Sequence, residues 1–284
     1  MRVLEVDVVG LVLLAALLHA GWNAVAKAGS DRLLTLTGIV GVSTGIGCVG
    51  VISLPAPAVA AWPYLGTGAL LHLAYYYFLL RMYRFGDLSF TYPVARGLAP
   101  LLVAGLSAVF AGEVPSWVQG LGLALASASL ASMTWLGARP SADTRRALLA
   151  AALTGAMIGL YSFVDGQGAR AAGNAWSYVT WSFVLDGVPL LIVTGLQRRR
   201  AALRWLATPD AARSCVGGLI ASGAYALVLW AMTQGAMAEV SALRETSVIF
   251  GAWIGARLLR EPFGRARILA ATGVALGLLL LHAR

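Results

Sequence analysis

The sequence predicts an all-α, polytopic membrane protein, with about ten transmembrane helices in two inverted halves of five. Three observations carry this reading. The chain is 59% hydrophobic and 12% charged over 284 residues, with a mean hydropathy of +0.79. A soluble domain has roughly a quarter of its residues charged. Apolar runs recur at a length of about 20 residues, which crosses a hydrocarbon core about 30 Å thick at 1.5 Å per helical residue. Finally, an Arg–Glu–Pro pattern in one half of the chain returns in the other.

Cutting at charged and Pro/Gly-rich gaps places the spans near 8–27, 33–53, 64–82, 88–110, 115–136, 147–169, 176–196, 214–235, 238–258 and 266–282. Glu5 and Asp7 spoil the basic flank of a signal peptide, so the first run reads as an uncleaved helix. The loops leave no room for a soluble domain, and the protein therefore works inside the bilayer, its lipid partner.

The formal net charge of +9 would suggest nucleic acid in a soluble chain. Here the basic residues sit between apolar runs, so membrane topology explains them and no nucleic-acid partner is expected. Loops after odd-numbered spans hold Lys27, Arg32, Arg81, Arg84, Arg139, Arg145, Arg146, Arg198, Arg199, Arg200, Arg204, Arg213, Arg257, Arg260, Arg265 and Arg267. The other side holds Arg2, Arg170 and Arg284. The positive-inside rule puts the odd loops in the cytoplasm and both termini outside. Cys48 and Cys215 lie in apolar runs without a CxxC or a partner His, which indicates neither a disulfide framework nor a metal site. No cofactor is expected.

In order along the chain, the first span sets His19, Asn23 and Lys27 at i+4 steps with Trp22 beside them, a polar stripe that should avoid lipid. The third places His72, Tyr75 and Tyr76 on one face, away from either end, as cavity lining. In the fourth, "TYPVARGLAP" carries Arg96 with Tyr92 one turn earlier. Arg96 is either a counter-charge for a carboxylate or phosphate, or an anchor paired with Asp165 or with backbone carbonyls. Pro100 lacks the N–H that would bond the Arg96 carbonyl, which predicts a bend in the fourth helix alone. The sixth span brings Asp165 on the face of Tyr161 and Gly168. The seventh brings Tyr178, Trp181 and Asp186, the last read as marking a helix irregularity near Pro189. The eighth contributes Tyr225 and the ninth the adjacent pair Arg244 and Glu245. Glu245 either neutralises an arginine or titrates with a coupled proton. The spacings Gly41–Gly45, Gly251–Gly255 and Gly273–Gly277 predict close helix packing.

Arg96 stands 17 residues before Glu113, and Arg244 stands 17 before Glu261, an offset of 148 between copies. Pro115 and Pro262 follow within two residues of each Glu, and a new apolar run comes next. The chain thus divides into halves at 1–136 and 137–284 within a single membrane domain. Five spans per half force the second half into the membrane upside down, the inverted-repeat plan of many secondary transporters.

The segments "GDLSFTYPVARGLAPLLVAGLSAVFAGEVPSWVQGLGLALASASL" and "AMAEVSALRETSVIFGAWIGARLLREPFGRARILAATGVALGLLLL" each resemble the end of an EamA repeat. The opening "LLHAGWNAVAK" resembles that family's first helix, and the resemblance covers nearly the whole chain. It implies the drug/metabolite transporter superfamily: ten helices in two inverted five-helix repeats around a central cavity, working by alternating access. Glu113 and Glu261 match a fold signature that names no substrate.

The leading functional reading is a transporter, an exporter of small polar metabolites such as amino acids, in the bacterial cytoplasmic membrane and acting as a monomer. Its substrate-binding candidates are Trp22, Asn23, His72, Tyr75, Tyr76, Tyr92, Arg96, Tyr161, Asp165, Trp181, Tyr225, Arg244 and Glu245. A transporter of cationic compounds, phosphonates or nucleotide-like molecules is the alternative, and a non-transporting membrane protein a further one. An intramembrane enzyme would need clustered nucleophile, base or metal ligands. Three isolated histidines without HExxH or GxSxG argue against it.

Overall fold

A computed structural model describes residues 4–85, 88–137, 144–258 and 265–282. Glu261 and Pro262, the second copies of Glu113 and Pro115, lie outside the described residues, as do Asp87, Arg139 and Arg260. The fold is all-α. Its helices are α1 (Val6–Ala28), α2 (Arg32–Ser53), α3 (Trp62–Phe85), α4 (Leu88–Phe110), α5 (Trp117–Gly137), α6 (Thr144–Ala171), α7 (Ala175–Trp205), α8 (Pro209–Gln234), α9 (Met237–Arg244), α10 (Ser247–Leu258) and α11 (Arg265–His282). α9 and α10 together occupy the ninth predicted span. Six helices, α1, α2, α4, α6, α7 and α8, contain stretches long and apolar enough to cross a membrane.

Local chemistry sets the ends. Asp31 accepts from the N–H groups of Leu33 and Leu34 at the start of α2, and Asn174 from that of Trp176 at the start of α7. Ser116 and Gln119 form a reciprocal capping box on α5. The Gln119 amide also donates to the Leu281 carbonyl at 3.3 Å, joining the start of α5 to the end of α11. Gly112 turns the chain after α4 at φ +67°, a conformation that favours glycine, while the Glu113 N–H bonds the Ser107 carbonyl. α7 leaves helical geometry at Arg198 (φ −128°, ψ 20°), just past the predicted end of the seventh span, and Arg198 reaches Asp31 at 3.7 Å.

α5 packs on α11, α2 on α7, α3 and α4 on α6, and α1 on α8. At the α5–α11 contact, a Cβ on Gly122 or Gly277 would stand 2.5 Å from the other glycine's carbonyl oxygen, so only hydrogen fits. The Gly273–Gly277 spacing is thus used as predicted. Of the other two spacings, a Cβ on Gly41 would meet Leu191 at 3.4 Å, whereas one on Gly45 or Gly251 meets nothing within 4 Å; the side-chain surroundings of Gly255 lie outside those described.

Alternate connections place the start of α1 and the end of α11 on one face of the bundle, here the terminal face. The arginine-rich connections lie on the other. Trp62, Trp117 and Trp176 open α3, α5 and α7 on the terminal face, and Trp117 is 78% exposed, as in an interfacial aromatic belt. One extended apolar cluster closes the bundle toward that face, joining Val12, Leu65, Tyr178, Leu229, Met232 and Met237 from four helices and the α9 start. Toward the arginine-rich face the apolar contacts split into separate groups, Leu79–Met82–Ala95–Ala151 and Leu34–Trp205–Ala211. The bundle is sealed at one end and segmented at the other.

A helix interruption falls in the ninth span, where none was expected. α4 is continuous from Leu88 to Phe110 with Pro93 and Pro100 inside it. The ninth span breaks instead, between α9 and α10, where the N–H groups of Glu245 and Thr246 bond the carbonyls three residues back. The Thr246 hydroxyl also donates to the Leu243 carbonyl at 2.7 Å, and the Val248 N–H turns to Glu245. That arrangement leaves the Arg244 carbonyl without its helical donor. A side-chain hydroxyl, not a proline, interrupts this helix.

Candidate functional site

Arg96 on α4 points inward and is 2% exposed. Its Nε lies 2.7 Å from Glu245 Oε2, and its Nη2 donates to the Ser247 hydroxyl at 3.0 Å and to the freed Arg244 carbonyl at 3.4 Å. Arg244 Nη2 donates to the Ser162 hydroxyl at 3.1 Å, and its Nε is 3.8 Å from Glu245 Oε1. Arg96 also lies over the Tyr92 ring at 5.9 Å. The partner of Arg96 is therefore Glu245 and not Asp165. Two guanidiniums share one carboxylate, which leaves this group one positive charge in excess.

A second group carries the opposite sign. Asp165 is 1% exposed, and its two oxygens accept from the hydroxyls of Tyr178 (2.8 Å) and Tyr225. His72 Nδ1 lies 3.1 Å from the Gly68 carbonyl, 3.4 Å from Asp186 Oδ2 and 3.8 Å from Asp165 Oδ2. Its ring stacks on Tyr161 with centroids 4.1 Å apart, and Tyr76 and Tyr225 approach it at 6.3 and 5.8 Å. Tyr75 packs on Tyr161 at 5.5 Å. Small residues make room: a Cβ on Gly68 would strike Asp165, and one on Gly168 would strike the Tyr178 ring. Buried charges inside a bilayer are costly and mark functional sites by default.

α6 joins the two groups. Ser162 serves the positive one, while Tyr161 and Asp165 serve the negative one. Three residues of helix correspond to a rise of about 4.5 Å, so the α6 positions that serve the two groups, Ser162 and Asp165, stand roughly one turn apart.

Other predicted residues make contacts of their own. The Trp22 indole N–H donates to His19 Nδ1 at 3.2 Å and the Asn23 amide to the His19 carbonyl at 2.8 Å, a local cluster on α1. Trp181 packs on Trp62 at 4.8 Å, toward the terminal face. Sequence reasoning named Tyr178 only as a weaker candidate and Asp186 chiefly as a helix irregularity, and it left out Ser162 and Ser247. Asp186 had a signal, since any carboxylate in mid-span is a candidate. The serines had none, because their roles depend on which helices meet.

At the terminal face, Arg170 donates to Glu113 Oε1 at 2.6 Å and to the carbonyls of Met232 (2.7 Å) and Gly235. Glu113 Oε2 accepts the Met237 N–H at 3.0 Å. One ion pair thus ties the turn after α4, the end of α6 and the α8–α9 link beside an open cavity of about 350 Å³. Glu113 is the residue expected to mark the fold, and it does so by capping α9 from a distance.

Residues 145–283 match the family described as EamA-like transporter family. This stretch is an EamA-like transporter domain. The chain is accordingly a multi-pass membrane transporter, of a family of transporters and not of enzymes. A solved structure, described only as the crystal structure of a protein, matches with a TM-score of 0.77 at 16% identity. The match covers 97% of this chain and 96% of that one, and at this identity it bears on the fold alone. No curated protein matches the sequence.

Proposed function

We propose that this transporter exports small polar metabolites such as amino acids across a bacterial cytoplasmic membrane by alternating access. The observation that carries the reading is the pair of buried, oppositely charged groups that meet α6 at Ser162 and at Asp165. A compact zwitterion presents the complementary pair of charges. Its carboxylate would meet Arg96 and Arg244, and its side chain the rings of Tyr75, Tyr76, Tyr92 and Tyr161.

The helix pairings support two inverted halves, 1–136 and 137–284. Moving each helix five spans along the chain turns α3 on α6 into α8 on α1, and α4 on α6 into the ninth span on α1, while α2–α7 and α5–α11 map onto themselves; all of these contacts occur. Arg96 and Arg244, which occupy equivalent places in the two halves, meet through the Arg244 carbonyl, as residues near a twofold axis would. The extended apolar cluster toward the terminal face, and the smaller described clusters opposite, suit a state closed on the terminal side. By the charge asymmetry of the loops, the less sealed face is cytoplasmic.

The test is counterflow in proteoliposomes loaded with unlabelled L-leucine and given tracer L-leucine outside. Saturable accumulation above protein-free vesicles, competed by other amino acids and not by sugars, is expected. Flux equal to that of empty vesicles across the common amino acids would overturn the reading.

A further inference from the structure

We infer that Asp186 is a shared site for a substrate's ammonium group and a proton, so that the two compete and an amine entering from the cytoplasm releases a proton. This rests on the amino-acid reading above and specifies the cationic end of its site.

Three observations lead here. First, Asp186 is 6% exposed and, among the described residues, accepts no hydrogen bond from the protein; its polar neighbour is His72, at 3.4 Å. Second, a carbonyl can only accept, so the bond between His72 Nδ1 and Gly68 at 3.1 Å takes up the proton on that nitrogen. With that proton directed to the Gly68 carbonyl, Asp186 at 3.4 Å is left without a full donor. Third, Asp165 differs from Asp186 in having both oxygens served by tyrosine hydroxyls. The oxygens of Asp165 are thus occupied by protein donors, and Asp186 is the variable member.

Every element packed around Asp186 enters the charge count. α3 brings His72, Tyr75 and Tyr76, α6 brings Tyr161 and Asp165, α7 brings Tyr178, and α8 brings Tyr225. α2 packs along α7 and offers Thr44, bonded to backbone carbonyls, with no ionisable group at this depth. Beyond them stand His19 on α1, Tyr92 and Arg96 on α4, and Arg244 with Glu245 in the ninth span, where the excess positive charge is already directed to Ser162 and Ser247. Two carboxylates therefore face one imidazole, and the inner group has room for one further positive charge. Among the described residues no three His, Cys, Asp or Glu are grouped to hold a metal ion, so a proton or an ammonium fits best. As the ammonium arrives, the O–H bond of the protonated Asp186 breaks, its proton passes to water, and the carboxylate pairs with the cation. The charge of the group is unchanged.

The experiment uses isoamylamine, which is leucine without its carboxylate, and isocaproate, which is leucine without its amine. Binding to the purified full-length protein in detergent is followed by Tm shift and by proton release into weak buffer, alongside L-leucine counterflow. Isoamylamine should bind with release of a proton, its affinity falling by up to about tenfold per pH unit as the medium is acidified. Isocaproate should bind with no release. Asp186→Asn should lose amine binding and proton release while keeping isocaproate binding, which shows that it folds. Leucine flux without proton release, or amine binding unchanged in Asp186→Asn, overturns the inference and leaves the transport reading standing. Amine binding with proton release but no leucine flux supports the inference and removes the amino-acid reading. Absence of both amine binding and flux removes both.

Discussion

Arg96 and Glu245 form an ion pair of 2.7 Å across the contact between α4 and the broken ninth span, each about 2% exposed or less. The pair joins α4 to the ninth span, and under the proposed plan it lies beside the substrate. Removing one member leaves the other charged, buried and poorly compensated. Arg96→Met should cost about 3 kcal/mol of stability, the low end for a broken buried pair because Arg244 Nε stays 3.8 Å from Glu245. The double variant Arg96→Met with Glu245→Leu should recover most of that loss. Unfolding of the three proteins in the same detergent checks it, and equal loss in the single and the double variant would contradict it.

The α5–α11 contact predicts a sharp contrast between glycines. Gly277→Leu drives a side chain into the Gly122 carbonyl and the Ala126 backbone and should destabilise by about 1–3 kcal/mol or more. A Cβ on Gly251 meets nothing within 4 Å, and Gly251→Ala should leave Tm nearly unchanged. A similar Tm for the two variants would mean that α5 and α11 do not approach as described.

The Glu113–Arg170 pair should hold the terminal face shut. Ala61 is fully buried in the seal on that face, so Ala61→Cys, with Cys48 and Cys215 replaced by Ser, should resist an impermeant maleimide. Adding Glu113→Ala removes both the partner of Arg170 and the acceptor for the Met237 N–H. The labelling rate at position 61 should then rise several-fold. An unchanged rate would make the pair a local cap with no part in closure.

Much of this architecture was legible in the sequence because each helix advertises itself locally. Run length gave the spans, and the arginine-bearing gaps gave the alternation of faces. The equal spacing of Arg96 and Arg244 from their glutamates anticipated that the two arginines would meet. What the residues could not disclose is pairing across helices. Arg96 had Asp165 and Glu245 as possible partners, and only the break after Arg244 turns Glu245 toward it. That break depends on the Thr246 hydroxyl competing for the Leu243 carbonyl, whereas Pro100, the stronger breaker on paper, sits in a continuous helix. Asp186 was read as a helix irregularity beside Pro189, yet it faces His72 because α3 packs against α7. Trp181 has the composition of a cavity residue but lies on Trp62 toward the terminal face, since rotation about the helix axis is set by packing and not by residue type.

The central claim is that the paired charged groups are the transport site, and L-leucine counterflow with Arg244→Met tests it most directly. Arg244 supplies the excess positive charge, and its side chain reaches only Ser162 and Glu245 among the described residues. The account predicts saturable counterflow in the wild type, and its loss in Arg244→Met proteoliposomes containing the same amount of folded protein. Wild-type counterflow in that variant would contradict the account.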